Sequence, residues 1–275
     1  MTITLGPIRF IKSLLRIVAG RPRIPQSLQD NKLLQTILRR RSIRNFTKAD
    51  IPADVFDAIL EAGRVAPSTV NLQAWSFATF TTDSWRAMFE RPLPFKANRA
   101  VIILADSHRM RGVLGADVFP RSPMVEYTIA VMNASLAAMN MNMAAEALGV
   151  SSVMLSETGH SGLLDAGYLC DKLKLPLGVI PLMTIVFGYA ATPYPPMPPR
   201  LPISTVCFDG ARGYQEADPQ VMQDWLAQMI AGYKANFPRS SFEAQLKVYQ
   251  SRIGQAEADL REMALGSMSD IADGI

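Results

Sequence analysis

The segment from Met124 to Leu148 constrains the fold most, because it is long and nearly uncharged. It predicts one long helix that ends at Gly149, since glycine is the usual residue just past a helix C-terminus. A helix of this length could cross a membrane. However, hydrocarbon would leave its polar side chains unsatisfied, and these are Glu126, Asn133, Ser135, Asn140, Asn142 and Glu146. The segment therefore predicts a helix in a protein core or at a subunit interface.

The rest of the chain reads as a mixture of helices and strands. Apolar spacing predicts helices within residues 28–41, 51–68 and 163–173. Apolar runs predict strands at residues 74–82, 99–106 and 181–190. The proline-rich stretch at residues 192–202 predicts an extended surface segment. Two C-terminal helices are predicted, the first from Asp218-Pro219 and the second from a capping box, Ser240 to Glu243.

Cysteine and histidine usage excludes several kinds of site. Cys170 and Cys207 cannot build a disulfide framework, and their spacing is not that of a zinc or iron–sulfur site. The two histidines, His108 and His160, lack a nearby nucleophile-elbow sequence. We therefore expect no metal site, structural roles for His160 and Cys170, and a reducing, cytoplasmic location.

Positive charge is concentrated near the N-terminus. Residues 1–48 hold eleven Lys or Arg and one acid, a net +10, so the remaining 227 residues carry −6 of the total of +4. This asymmetry indicates an anionic partner for the segment, such as a phosphate ligand or a membrane surface. No nucleic-acid partner is expected, because no aromatic residues interleave with the arginines and no recognition motif accompanies them.

Residues 8–18 predict a basic amphipathic helix. Arg9, Lys12, Ser13 and Arg16 fall on one arc, and apolar residues fill the rest. The helix is too short to span a bilayer and lacks a secretory cleavage site, so two interpretations remain. It docks on the protein itself, which we favour, or it lies on an anionic membrane and gives peripheral membrane association.

Two strings in the first third of the chain carry a functional signal. Arg40-x-Ser42-x-Arg44-x-Phe46 is followed by Ala66-Pro-Ser-Thr-Val-Asn-Leu-Gln-Ala-Trp75. Together with the long helix and Pro199-Arg-Leu-Pro202, they resemble the FMN-dependent nitroreductase family over residues 31–203. The resemblance implies an α+β fold, with a central, mostly antiparallel sheet flanked by helices, in an interlocked homodimer. We expect three parts: a basic N-terminal segment (1–30) and a helical extension (211–275), which lie outside the resemblance, and an FMN-binding domain (31–210).

The resemblance also implies a cofactor site shared between two chains. Arg40, Ser42 and Arg200 would bind the FMN phosphate, since guanidinium groups and a hydroxyl suit a dianion. Arg41 or Arg39 could replace a cation that many members carry where this chain has Pro198. Arg44 would lie near the pyrimidine edge of the flavin and tune its reduction. The remaining implied contacts are Pro67, Ser68, Asn71 and Gln73 from the partner chain, and the backbone of Leu155, Ser156 and Glu157.

Each of these residues also has a structural interpretation. The arginines could form a solvated helix end that complements the helix dipole, and Ser68 and Asn71 could be turn residues after Pro67. Agreement between the two strings favours FMN binding for Arg40, Ser42 and Asn71.

The implied reaction moves a hydride from NAD(P)H through flavin N5 to an electron-poor small molecule, such as a nitroaromatic or a quinone. The flavin carries the chemistry, so no catalytic side chain is expected. Alternatives within the family are an ene reductase, a reductive dehalogenase and a flavin-dependent dehydrogenase. An alternative of another class is an FMN store or sensor without turnover.

Overall fold

The structure is a computed structural model that describes residues 5–20, 22, 24–110, 123–156 and 161–265. Its α-helices include α1 (Pro7–Ala19), α2 (Lys32–Arg39), α3 (Ala53–Arg64), α4 (Thr82–Phe89), α5 (Pro123–Ala147), α6 (Ala166–Leu173), α7 (Ile203–Val206), α8 (Pro219–Asn236) and α9 (Phe242–Leu265). Its strands include β1 (Trp75–Thr81), β2 (Arg99–Asp106), β3 (Ser151–Leu155) and β4 (Val179–Gly188).

The four strands form one sheet in the order β1-β2-β4-β3, and all neighbouring pairs are antiparallel. Strands β2 and β4 occupy the centre and are buried almost throughout. Their continuous apolar sequences fit this position, because a strand covered on both faces needs apolar residues at every position. The predicted α+β class and the antiparallel sheet flanked by helices are confirmed.

Two hydrophobic clusters cover the two faces of the sheet. One contains Ile103 and Phe187 together with Ile59 of α3 and Met141 of α5. The other contains the alternate strand residues, such as Ile102, together with residues from α4 and α6. Successive side chains of a strand point to opposite faces, which divides the apolar run of β2 between the two clusters.

Helix α5 lies in the first cluster, which confirms the prediction of a long core helix. Its buried alanines and Met141 face α3 and the sheet. The helix is followed by Gly149, whose φ of +75° lies in the left-handed region that glycine adopts without strain. Among the described helices, none is long and apolar enough to cross a bilayer.

The chain forms two compact units, and each combines segments that are distant in sequence. One unit spans Ser27–Tyr194 and the residues from Arg252 on, and the other spans the residues up to Gln26 and Pro195–Ser251. The first unit contains the whole sheet and helix α5. The second contains helices α1 and α8, which pack against each other.

Helix α1 docks on helix α8 with Ser13 at the centre of the contact, and part of its apolar arc, namely Phe10, Leu14 and Ile17, is half-buried beside it. Ser13 is buried, and the Arg16 guanidinium bonds the Asp224 carboxylate at 3.0 Å. This ion pair, with help from Gln220, lowers the pKa of Asp224. The opposite face is an exposed apolar stripe, formed by Ile8, Ile11, Leu15 and Val18. The helix therefore docks on its own chain and leaves most of its predicted apolar arc in solvent.

The helix starts in the C-terminal region were predicted partly correctly. The Asp218 carboxylate accepts a hydrogen bond from the backbone N–H of Gln220 at 2.8 Å, and Pro219 begins α8 as expected. The predicted capping box of Ser240 and Glu243 is wrong. The Ser241 hydroxyl caps α9 by accepting from the Ala244 N–H at 3.1 Å, because the helix begins one residue later than predicted.

Candidate functional site

The Arg40–Arg44 segment lies in the first unit, beside the edge strand β3. Helix α2 ends at Arg39, and Arg40 is extended, with φ −49° and ψ 136°. Ser42 pairs with Ser152 of β3 in a parallel bridge, and the Ile43 N–H donates to the Ser152 carbonyl at 3.0 Å. The Ile43 side chain is buried, 3% exposed. Because successive side chains of an extended segment point to opposite sides, Ser42 and Arg44 lie on the outer side.

Arg41 holds the end of helix α2. Its Nη1 donates to the backbone carbonyls of Leu38, Arg39 and Arg40 at 2.9, 2.9 and 2.8 Å. These carbonyls lack partners within the helix, so the guanidinium acts as a C-terminal cap. The contacts fix the turn from which Arg40 and Ser42 extend. A contact between Arg41 and a cofactor stays a prediction.

The electrostatics of the segment combine cations with one carboxylate. The Ser42 and Arg44 side chains make no hydrogen bond or salt bridge to any residue that the structure describes. Desolvation lowers the pKa of Arg44, which nevertheless stays a cation at neutral pH. Burial raises the pKa of Glu146, against the opposing effects of the nearby Tyr194 hydroxyl and of Arg40 and Arg41. Burial therefore makes this carboxyl easier to protonate than an ordinary glutamate, despite the arginines beside it.

The second string forms a strained segment, residues 67–73, between α3 and β1. Val70, Asn71 and Gln73 have φ values of 49°, 56° and 50°. This left-handed region costs an L-residue about 1 to 2 kcal/mol, and most for a β-branched side chain such as Val70. Such strain persists only where the surroundings impose it, and it concentrates at functional sites.

Hydrogen bonds hold this segment in place. The Ser68 hydroxyl accepts from the Gln73 N–H at 3.1 Å, which confirms the turn-forming interpretation of Ser68. The Asn133 side chain of α5 accepts from the Thr69 N–H at 3.1 Å. The Asn71 and Gln73 side chains are exposed. Asn133 was not predicted as a site residue; the signal that could have identified it is a polar residue inside a nearly uncharged helix.

The other predicted contacts are more dispersed. Leu155 ends β3 with its side chain buried, and the Ser156 carbonyl accepts from the Leu164 N–H at 3.3 Å. Glu157 and His160 lie outside the described residues. Arg200 belongs to the second unit, where it is exposed and precedes helix α7. Pro67 is exposed at the start of the strained segment.

The described residues place neither the cavity nor a metal cluster at the site. One cavity of about 10 Å³ has room for roughly one water, and none of the predicted cofactor contacts lines it. Within the described ranges, no three His, Cys, Asp or Glu side chains come together to hold a metal ion. The candidate contacts are therefore open surfaces: the Arg40–Arg44 segment lies near Glu146 and the strained segment lies against Asn133, 13 residues earlier on the same helix, so each would need a further surface to enclose a ligand.

Comparison with known proteins identifies relatives of this chain. The chain is 26% identical over 212 residues to an FMN reductase (NADPH) of Bacillus subtilis, covering 74% of this chain and 83% of that protein. It is 27% identical over 211 residues to an NADPH-flavin oxidoreductase of Vibrio harveyi, covering 74% of this chain and 83% of that protein.

The fold has close counterparts among solved structures. The crystal structure of nitroreductase A from Vibrio parahaemolyticus superposes with a TM-score of 0.67 at 24% identity, covering 86% of this chain and 99% of that one. The family model described as "Nitroreductase family" matches residues 37–189, which is more than half of the chain and includes both strings. The chain therefore belongs to the nitroreductase family.

Proposed function

We propose that this protein is an FMN-dependent oxidoreductase that takes electrons from NAD(P)H and reduces an electron-poor small molecule, such as a nitroaromatic or a quinone. One observation carries the proposal. The Ser42 hydroxyl and the Arg44 guanidinium lie on the outer side of their segment and make no hydrogen bond or salt bridge to any described residue, so both are available to a ligand. The names of the Bacillus and Vibrio relatives support the same cofactor and electron donor.

The residues of the first string fit a phosphate monoester. Arg40 offers a planar guanidinium group and Ser42 offers a hydroxyl, and a dianion accepts hydrogen bonds from both. Glu146, a carboxyl near Arg40 and Arg41, has a raised pKa, so it opposes the phosphate less than an ordinary glutamate would. Arg200 would add a further cation, while Arg41 contributes by holding the turn before Ser42.

The strained segment fits the polar edge of an isoalloxazine ring. The amides of Asn71 and Gln73 each carry donors and an acceptor, which match the ring's N3, O2 and O4 atoms. Arg44 supplies a cation that favours negative charge on the reduced ring. FMN, when bound, would supply the hydride transfer between NAD(P)H and the acceptor. The protein's own part is to bind, orient and exclude water.

A homodimer with shared sites would complete these open surfaces. Helix α5 exposes apolar residues spaced along one face, namely Val125, Met132, Leu136 and Met139. The last three follow Val125 by seven, eleven and fourteen residues, so all four lie within one narrow arc of the helix surface. An exposed apolar stripe on a core helix is typical of a subunit interface. We propose that a second copy covers it and brings its own Asn71 and Gln73 to the flavin.

The cofactor assignment is tested by FMN titration. Arg40→Ala should weaken FMN binding by about 10- to 100-fold, the usual effect of removing a charged hydrogen-bond donor. Lys32→Ala is the matched control, because Lys32 is an exposed cation at the start of the same helix and has no predicted cofactor contact. A folded wild-type protein that stays colourless with micromolar FMN would rule the assignment out.

Turnover is tested separately from binding. Steady-state oxidation of NAD(P)H should depend on bound FMN and on an added nitroaromatic or quinone. Tight FMN binding without such turnover would identify a storage or sensor protein instead.

A further inference from the structure

Asn133 makes an unusually well-defined contact with the strained segment. It lies inside helix α5 and is 1% exposed. Its Oδ1 accepts hydrogen bonds from the Thr69 N–H at 3.1 Å and from the Thr69 hydroxyl at 3.3 Å. A backbone N–H can only donate, so the amide must present its oxygen to Thr69. The orientation of the side chain follows from its partner.

The contact occurs immediately before the left-handed residues. Thr69 directly precedes Val70, whose φ is 49°, and its carbonyl accepts from the Leu72 N–H at 2.9 Å. Among the described residues, the other side-chain hydrogen bonds of residues 67–73 stay within that segment. Asn133 is thus the side chain that ties this segment to the core.

We propose that Asn133 is a positioning residue for the cofactor site: it anchors Thr69 to helix α5 and so keeps Asn71 and Gln73 in the left-handed conformation that presents their amides. The inference rests on the proposed function, in which these amides read the flavin. Asn133 itself does not touch the cofactor. It acts through the backbone of the segment, which strain would otherwise allow to relax toward ordinary φ values.

The amide nitrogen of Asn133 shows which atom of the side chain provides the anchor. Nδ2 of Asn133 is buried and has no hydrogen-bond acceptor among the described residues. The anchoring therefore depends on the oxygen alone, and a variant that keeps an oxygen there should keep the anchor. Asn133→Asp keeps it, whereas Asn133→Leu has a similar volume and removes it.

A matched control lies on the same helix. The Asn140 side chain donates to the Ala62 carbonyl of α3 at 3.1 Å and has no contact with residues 67–73 among its hydrogen bonds. Asn140→Leu therefore removes one hydrogen bond of α5 without touching the anchor. It reports the general loss of stability that any such substitution produces.

The test is hydrogen exchange on the full-length protein without FMN, followed by FMN titration of each variant. In Asn133→Leu, the amides of Asn71, Leu72 and Gln73 should exchange about tenfold faster or more, and FMN should bind about 10- to 30-fold more weakly. In Asn140→Leu, the exchange of these amides should stay as in wild type. Asn133→Asp should restore slow exchange and most of the affinity.

Four results would overturn the inference. Three are unchanged exchange of the segment in Asn133→Leu, equal loosening in Asn140→Leu, and faster exchange without loss of FMN affinity. The fourth is equal loosening in Asn133→Asp and Asn133→Leu, since the oxygen would then not be the anchor. Failure of the wild-type protein to bind FMN would refute the proposed function instead, and the exchange rates would still decide whether Asn133 anchors the segment.

Discussion

Val70 offers the sharpest test of how the strained segment is held, because its side chain contributes little besides strain. It is 88% exposed and has a φ of 49° and a ψ of 28°. Placing a non-glycine residue there costs about 1 to 2 kcal/mol, and a β-branched residue lies at the upper end of that range. Val70→Gly should remove this cost while losing almost no buried surface.

The expected gain is smaller than the strain itself. Glycine has more conformational freedom in the unfolded chain, which offsets about 0.5 to 1 kcal/mol. The net increase in the free energy of unfolding should be about 1 kcal/mol. For a protein of this size, that corresponds to a rise in melting temperature of roughly 2 to 4 °C. Val70→Asn should fall between the two, because asparagine tolerates the left-handed region better than valine.

The chain contains a matched control only five residues away. Val65 is also exposed, but its φ of −89° and ψ of 9° are ordinary for a helix end. Val65→Gly should therefore lower the free energy of unfolding by about 0.5 to 1 kcal/mol. Both variants are to be melted without FMN, at one protein concentration. If Val70→Gly is destabilised as much as Val65→Gly, the left-handed strain at residue 70 is refuted.

Three further predictions concern the dimer, helix α1 and the cysteines. Mixing Arg40→Ala chains with Asn71→Ala chains should restore one complete site per heterodimer, and FMN binding that stays absent after mixed refolding would refute the shared site. Removing residues up to Ala19 should lower the free energy of unfolding by about 2 kcal/mol, since half-buried apolar side chains on α8 lose their cover. If the melting temperature is unchanged but binding to anionic vesicles is lost, the exposed stripe of α1 binds a membrane instead. Burial, and to a lesser extent the charges of two nearby aspartates, raises the pKa of Cys170 to about 12. At pH 8 iodoacetamide should therefore label the exposed Cys207 first, and equal labelling of both cysteines in the folded protein would contradict the burial of Cys170.

The long helix and the central strands were predicted closely because their patterns are long and consistent. Strand β2 matches the predicted residues 99–106, and α5 begins and ends within one residue of the predicted segment. Strand β3 was missed, because its Ser151-Ser152 start lacks the apolar alternation of a strand. Helix α4 was missed because it follows β1 without any intervening residue. Both are short elements that depend on their neighbours.

For the site, the sequence identified the strings but not the way in which they are held. Arg40, Ser42, Asn71 and Gln73 came from the resemblance, whereas the cap formed by Arg41 and the anchor formed by Asn133 depend on three-dimensional contacts. Asn133 is 64 residues from Thr69 along the chain. No local pattern reports a hydrogen bond across such a separation.

The sequence by itself determined the family and, through that resemblance, the antiparallel core and the residues proposed to bind a phosphate, because the resemblance depends on paired motifs. The tertiary structure decided which of those side chains already make hydrogen bonds within the protein, as Arg41 does. It buried Ser13 of α1 against α8, and it placed Val70, Asn71 and Gln73 in the left-handed region. These outcomes depend on contacts between distant segments, and the free energy of such contacts can outweigh the local preference of a residue.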